Sequence, residues 1–162
     1  MKIYNLHKEQ YLPISVDEAW KFFSSAANLS KITPPEMKFV IRTKLDNAPI
    51  YSGMKIEYTV KPLLGIPLHW ITEIVNVEAP RIFMDRQLKG PYSLWEHTHT
   101  FEWVAGGVLM TDDVKYALPM GVLGEIAHSL IVKKKLSGIF NFREKTLVNL
   151  FGVYKRDEHV AN

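Results

Sequence analysis

The stretch Leu94–Trp103, LWEHTHTFEW, alternates with period two: Trp95, His97, His99, Phe101 and Trp103 fall on one parity, and Glu96, Thr98, Thr100 and Glu102 on the other. Successive side chains of a strand point to opposite sides, so the segment reads as a β-strand with one face turned inward and one turned to water. Its inner face is odd for a core. A buried imidazole needs hydrogen-bond partners, whereas Leu, Ile and Val fill an interior without that demand. Either the two histidines are satisfied core residues, or the strand looks into a cavity.

The rest of the chain gives this strand a setting. A first strand, IYNLHKEQYLPI, ends at Pro13, which removes a backbone donor. One or two short helices follow in SVDEAWKFFSSAANLSKI, where Ser15 and Glu18 have capping-box spacing and Ala19, Phe22 and Phe23 form an apolar stripe. Pro34-Pro35 stops them. Further strands are expected at about Met37–Leu45, Met54–Lys61, Leu68–Val77, Arg81–Lys89, Leu94–Val104 and Val108–Leu118, separated by turn signals at Asn47, Gly53, Gly65, Pro80, Gly90-Pro91 and Gly106-Gly107. From about Leu123 to Phe151 the sequence has no Pro, and only Gly138 as a weak breaker, which predicts a long C-terminal helix. The order is that of an α+β fold: antiparallel strands with a helix available to cover one face. Ile126, Leu130 and Phe140 are expected to approach Trp70 and Trp95. A single domain is expected over 1–155, with a polar tail over 156–162.

Parity marks the inner faces. Met54, Ile56, Tyr58 and Val60 oppose Lys55, Glu57, Thr59 and Lys61; Leu68, Trp70, Thr72 and Ile74 form the apolar set of their strand, in competition with Ile71 and Val75. Asp112 shares a face with Val108, Met110, Val114, Tyr116 and Leu118, where a carboxylate needs a partner. A hairpin at Gly106-Gly107 supplies His99: a four-residue loop places it opposite Asp112, and a two-residue loop leaves them one pair apart. An Asp–His contact is predicted. Between Pro80 and Gly90 the pattern favours Ile82, Met84, Arg86 and Leu88 as the inner set over Phe83, Asp85 and Gln87.

Composition limits the possible functions. With 162 residues the chain fits one domain that buries roughly 70% of its unfolded surface. It has no Cys, which excludes disulfides, thiolate metal sites and Cys nucleophiles. No secretory h-region or run of 18 apolar residues occurs, so no integral membrane segment and a cytoplasmic location are expected. The net charge of +3 is too small for the basic stripe of a nucleic-acid binder. Lys133, Lys134 and Lys135 spread over roughly 200° of a helix and read as a solvated face. Gly121 and Gly124 make no phosphate loop, and Ser24, Ser25 and Ser129 have no nucleophile context. The His97-x-His99 pair supplies two metal ligands where a site needs more, so neither metal nor cofactor is expected.

The segments ITPPEM, GMKIEY, IPLHWITEI, PRIFMDRQLKGPYSLWEHTHTF, MTDDVKYALPMGVLG and IFNFR, in this order, resemble the START-like (SRPBCC) ligand-binding superfamily over essentially the whole chain. They are similar in particular to bacterial stand-alone members of polyketide-cyclase-like type, or cell-division-inhibitor-like when fused to an epimerase-type domain. Such a domain is not found here. The resemblance implies a helix-grip fold, in which a curved antiparallel sheet wraps a long C-terminal helix around an apolar cavity. It also implies that Phe83, Asp85 and Gln87 face the cavity, against the pattern reading.

Polar and aromatic residues from adjacent strands thus converge on one concave face, the usual form of a small-molecule site. The expected ligand-binding residues are Trp70, Phe83, Asp85, Gln87, Trp95, His97, His99, Asp112, Tyr116 and Phe140. Plain alternatives stand beside them: the Trp residues fill core, His97 and His99 are satisfied core or rim histidines, Asp112 and His99 form a buried strut, and Asp85 and Gln87 bond backbone near the Gly90-Pro91 turn. Binding of a lipid, polyketide or isoprenoid is the reading taken here. The alternatives are a cyclase- or hydratase-like enzyme using His97 or His99 as general acid/base with Asp112 or Asp85 as orienter, and a protein-docking module with an unknown partner.

Overall fold

A computed structural model describes residues 1–45, 48–61 and 65–156; the turn expected at Asn47, and all of the expected tail except Arg156, lie outside the described residues. The first strand, β1 (Tyr4–Leu12), leads into α1 (Val16–Phe23). That helix starts as its sequence dictates: the Ser15 hydroxyl accepts from the Glu18 N–H, and the Glu18 carboxylate accepts from the Ser15 N–H. A 3-10 helix over Ala26–Ile32 and a 3-10 turn over Pro35–Met37 follow. The strand expected over Met37–Leu45 shrinks to β2 (Val40–Ile41). Pro35 opens the preceding 3-10 turn, and Lys38 ends it in the left-handed region, so extended backbone begins late.

The remaining strands are β3 (Lys55–Val60), β4 (Leu68–Glu78), β5 (Ile82–Lys89), β6 (Leu94–Val104) and β7 (Gly107–Ala117). The described residues form one seven-stranded antiparallel sheet in the order β1-β7-β6-β5-β4-β3-β2. The β4–β5 register slips twice, leaving Leu88 and Val75 without direct partners, and such bulges bend a strand and sharpen its twist. Over Pro80–Gly90 β5 alternates regularly from Ile82 to Gln87, and parity misled because the outer face carries the apolar Ile82, Met84 and Leu88: Phe83 is buried and Arg86 is exposed, paired with Glu73. The Phe83, Asp85 set is the inner one.

The β6–β7 hairpin turns on two residues, Ala105 and Gly106, and its register sets His99 directly opposite Asp112. This corrects the expected turn at Gly106-Gly107, and with it the link between a two-residue loop and an offset of one pair. Gly106 supplies the positive φ the tight turn needs. Gly107 instead belongs to β7, where a Cβ would run into the Leu12 carbonyl of β1.

The C-terminal helix is continuous but not uniform. A π turn (His128–Val132) joins α2 (Gly121–Ala127) to α3 (Lys133–Phe151). The wider turn rotates the face of the preceding segment, so Ile126 and Leu130 are 50% and 70% exposed, contrary to the expected stripe. Below the turn the spacing holds: Leu136, Phe140, Arg143 and Leu147 are the buried positions of α3. The main core joins Leu147 to Leu12, Ala19, Ile56, Trp70 and Phe101. Trp103 shares parity with Phe101 yet is 76% exposed, because the pairing of β6 with β5 stops at Thr100 and no strand flanks it on that side. A curved antiparallel sheet against a long C-terminal helix is the helix-grip architecture.

Candidate functional site

Between the concave sheet face and the C-terminal helix lies a cavity of about 610 Å³. Its walls are mostly apolar, with Phe23, Ile56, Tyr58, Trp70, Leu136 and Phe140 among them. One side is a continuous aromatic surface. Trp70 meets Trp95 edge-on at 5.4 Å between ring centroids and stacks on Tyr58 at 5.7 Å, and Tyr92 leans on Trp95 at 4.8 Å. The Trp70 indole Nε1 is buried there without a hydrogen-bond partner. Met120, Leu123 and Ile131 line the cavity while remaining largely exposed, so the mouth lies beside α2 and the π turn.

A polar cluster sits in this apolar setting. Asp85 on β5 is the register partner of His97 on β6, and His99 follows on the same face. Asp85 Oδ2 lies 3.2 Å from His99 Nε2 and 3.8 Å from His97 Nδ1. Behind the two rings, which are 3.8 Å apart, His97 Nε2 hydrogen-bonds Asp112 Oδ1 at 2.8 Å. His99 Nδ1 is 3.0 Å from the same oxygen but off the direction an N–H bond would take. Arg143, reaching down from α3, places Nη2 3.1 Å from Asp112 Oδ1. Its guanidinium lies over the rings of Phe23 and Phe140, at 5.2 and 5.8 Å.

These contacts set the charges. Burial pushes the Asp112 carboxyl up, but Arg143, the hydrogen bond from His97 and the close approach of His99 outweigh it and hold the group well below the usual carboxylate range. His97 is pushed down by burial and by its neighbour His99, against the pull of Asp112. His99 is raised: burial lowers it, but the carboxylates of Asp112 and Asp85 at 3.0 and 3.2 Å together exceed that effect. The pKa values of the two adjacent imidazoles are therefore moved in opposite directions.

Of the ten expected site residues, Trp70, Phe83, Asp85, Trp95, His97, His99 and Phe140 line the cavity. Asp112 does not; it lies 2% exposed behind the histidines. Tyr116 is also behind the wall, with its hydroxyl 2.8 Å from His128 Nε2. Gln87 faces the turn: its side-chain amide donates to the Tyr92 carbonyl at 2.7 Å and accepts from the Tyr92 N–H at 3.4 Å. That is its plain alternative, and it leaves Gln87 outside the cavity. Lys135, expected on a solvated face, is half-buried at the lining.

Arg143 was not singled out in the sequence, although the signal was there. It occupies the apolar stripe of α3 between Phe140 and Leu147, as Asp112 occupies the apolar face of β7, and two opposite charges out of place on facing elements point to each other.

The chain matches no known family profile and no curated protein sequence. Solved structures do resemble it. A norcoclaurine synthase point mutant from Thalictrum, in complex with a transition-state analogue, superposes with a TM-score of 0.65 at 14% identity, covering 92% of this chain and 96% of that one. Ara h 8.0201 gives 0.60 at 15% identity, over 91% and 99%. A nucleoside-diphosphate sugar epimerase from Corynebacterium glutamicum gives 0.62 at 19% identity, over 89% of this chain but 28% of that one. At these identities the likeness establishes the helix-grip fold alone. Among the described residues no helix is long and apolar enough to cross a membrane.

Proposed function

We propose that the protein binds a hydrophobic small molecule, of lipid, polyketide or isoprenoid class, in the cavity between sheet and helix. The observation that carries this is the combination of a mostly apolar cavity of about 610 Å³ with a few polar groups gathered at one place, Asp85, His97 and His99. Pockets that bind drug-sized molecules have this size and make-up. The unpartnered Trp70 indole N–H supports a ligand with an acceptor atom, since an unmade buried hydrogen bond is costly. Exposed apolar side chains at the mouth, Met120, Leu123 and Ile131, suit passage of an apolar molecule.

A second reading, catalysis by general acid and base, draws on two adjacent imidazoles in the cavity wall whose pKa values move in opposite directions, because environments that push neighbouring groups apart mark acid and base roles. Incubation with candidate ligands separates the two. Binding is supported if the recovered molecule is unaltered and His97→Ala and His99→Ala change affinity modestly. Conversion of the molecule, lost in either variant, would replace binding by catalysis.

A further inference from the structure

We infer that Asp85, His97 and His99 form a site for a divalent transition-metal ion of the zinc class, with Asp112 as the positioning residue behind both imidazoles. The sequence spacing His97-x-His99 supplies two ligands; the β5–β6 register supplies the third by setting Asp85 beside His97. One oxygen and two ring nitrogens then lie within 4.8 Å of one another. The Asp85 oxygen is 3.2 and 3.8 Å from the two histidines. In a tetrahedral complex with bonds of about 2.0–2.1 Å, ligand atoms are separated by about 3.3 Å, so an ion needs only small side-chain adjustments to enter.

The surroundings also have the form a metal site needs. A ligating imidazole ordinarily gives its other nitrogen to a carboxylate, which fixes its tautomer and orientation. Here one buried oxygen sits beside both rings: Asp112 Oδ1 hydrogen-bonds His97 Nε2 at 2.8 Å and lies 3.0 Å from His99 Nδ1 without hydrogen-bond alignment, while His97 Nδ1 and His99 Nε2 are the nitrogens that approach Asp85. Arg143 Nη2 also pairs with that oxygen, at 3.1 Å. Two imidazoles and one carboxylate suit zinc-like ions better than magnesium or calcium, which take oxygen ligands. All three ligands line the cavity, so the remaining coordination position opens into it, to water or to an oxygen of a bound molecule.

The coordination requires only these side chains and does not depend on the hydrophobic-ligand reading. The test is calorimetric titration of chelator-treated protein with Zn²⁺, without any organic ligand, alongside Co²⁺ binding to the unmodified chain followed by NMR of the His ring signals. The expected result is one ion per chain, a raised melting temperature, and Co²⁺ perturbation centred on His97 and His99. Asp85→Ala and His99→Ala should abolish the binding, and Asp112→Asn should weaken it by about 10- to 100-fold. His7→Ala, which alters an exposed His7, Glu9 and Asp113 group, should leave it unchanged. No saturable binding, binding removed by His7→Ala, or Co²⁺ perturbation confined to other histidines would overturn the inference. The Co²⁺ measurement uses the unmodified chain, so it decides even if the variants fold poorly. Failure of hydrophobic ligands to bind would leave this titration unaffected.

Discussion

His97 Nε2 and Asp112 Oδ1 are 2.8 Å apart beneath the cavity floor, and the carboxylate they share with His99 and Arg143 is almost wholly buried. A charge in such a place persists only while its partners remain. Removing one partner of a buried ion pair commonly costs about 3–5 kcal/mol, because the other charge is left uncompensated. Arg143→Met should therefore lower the unfolding free energy by about that amount. The double variant Arg143→Met with Asp112→Asn should lose less than the sum of the single changes, as measured by denaturant titration of all four proteins. Additive losses would show that the two side chains do not support each other.

The helix carries the core only below the π turn. Leu147→Ala, at a fully buried position packed with Leu12 and Phe101, should cost about 2–5 kcal/mol. Leu130→Ala, on the exposed segment, should change stability by no more than about 0.5 kcal/mol. Comparable losses would place Leu130 in the core and restore a uniform α-helical stripe.

His128 opens the π turn, stacked on Tyr4 at 3.5 Å between ring centroids and bonded to the Tyr116 hydroxyl. Burial is the main cause that lowers its pKa, helped by Lys133 and Lys2. A histidine whose folded pKa lies below its unfolded value of 6.5 binds more protons when unfolded. Its contribution is complete above pH about 6.5 and declines as the pH falls from there toward the folded pKa. NMR titration should give a His128 midpoint below 6.5, moving upward in Lys133→Met, where a nearby positive charge that lowers it is removed. A midpoint at or above 6.5 would mean that burial does not govern this ring.

Gly90 is needed for a neighbour's side chain. A Cβ there would run into the Gln87 amide, which clamps Tyr92 on both its N–H and its carbonyl. Gly90→Ala should displace Gln87 and cost about 1–2 kcal/mol, the worth of one or two hydrogen bonds. In a Gln87→Ala background the same change should cost clearly less. Equal costs in the two backgrounds would assign the glycine a different role.

Much of the fold was legible because hydrophobic period follows directly from geometry. Period-two alternation located β6 at Leu94–Val104, and the Ser15–Glu18 spacing located the start of α1. Pattern failed where the backbone departs from regular geometry. It also failed on β5, which is regular from Ile82 to Gln87 but carries more apolar side chains on its outer face, so only family resemblance chose Phe83 and Asp85. The π turn rotates the helix face after the i, i+4 rule has been applied, which exposes Leu130. The site was half legible. His97, His99 and Asp112 stood out as polar residues on apolar faces, whereas the contact of Asp85 with them depends on strand register, and that of Arg143 on the seating of a helix. Tyr116 and Gln87 lie close to the cavity in sequence terms, but each is turned to a structural partner.

The central claim is that the cavity takes up a hydrophobic small molecule against Trp70 and Trp95. Its most direct test is Trp fluorescence titration with lipids, aromatic polyketides and isoprenoids, paired with melting curves. A true ligand should shift or quench the emission with one-to-one saturation and stabilise the fold by about 2.7 kcal/mol at a hundredfold excess over Kd. Trp95→Ala should weaken both responses, and Lys134→Ala, an exposed position on α3, should leave them intact. Absence of any saturable emission change or melting shift across all three classes, or responses that Trp95→Ala leaves untouched, would contradict it.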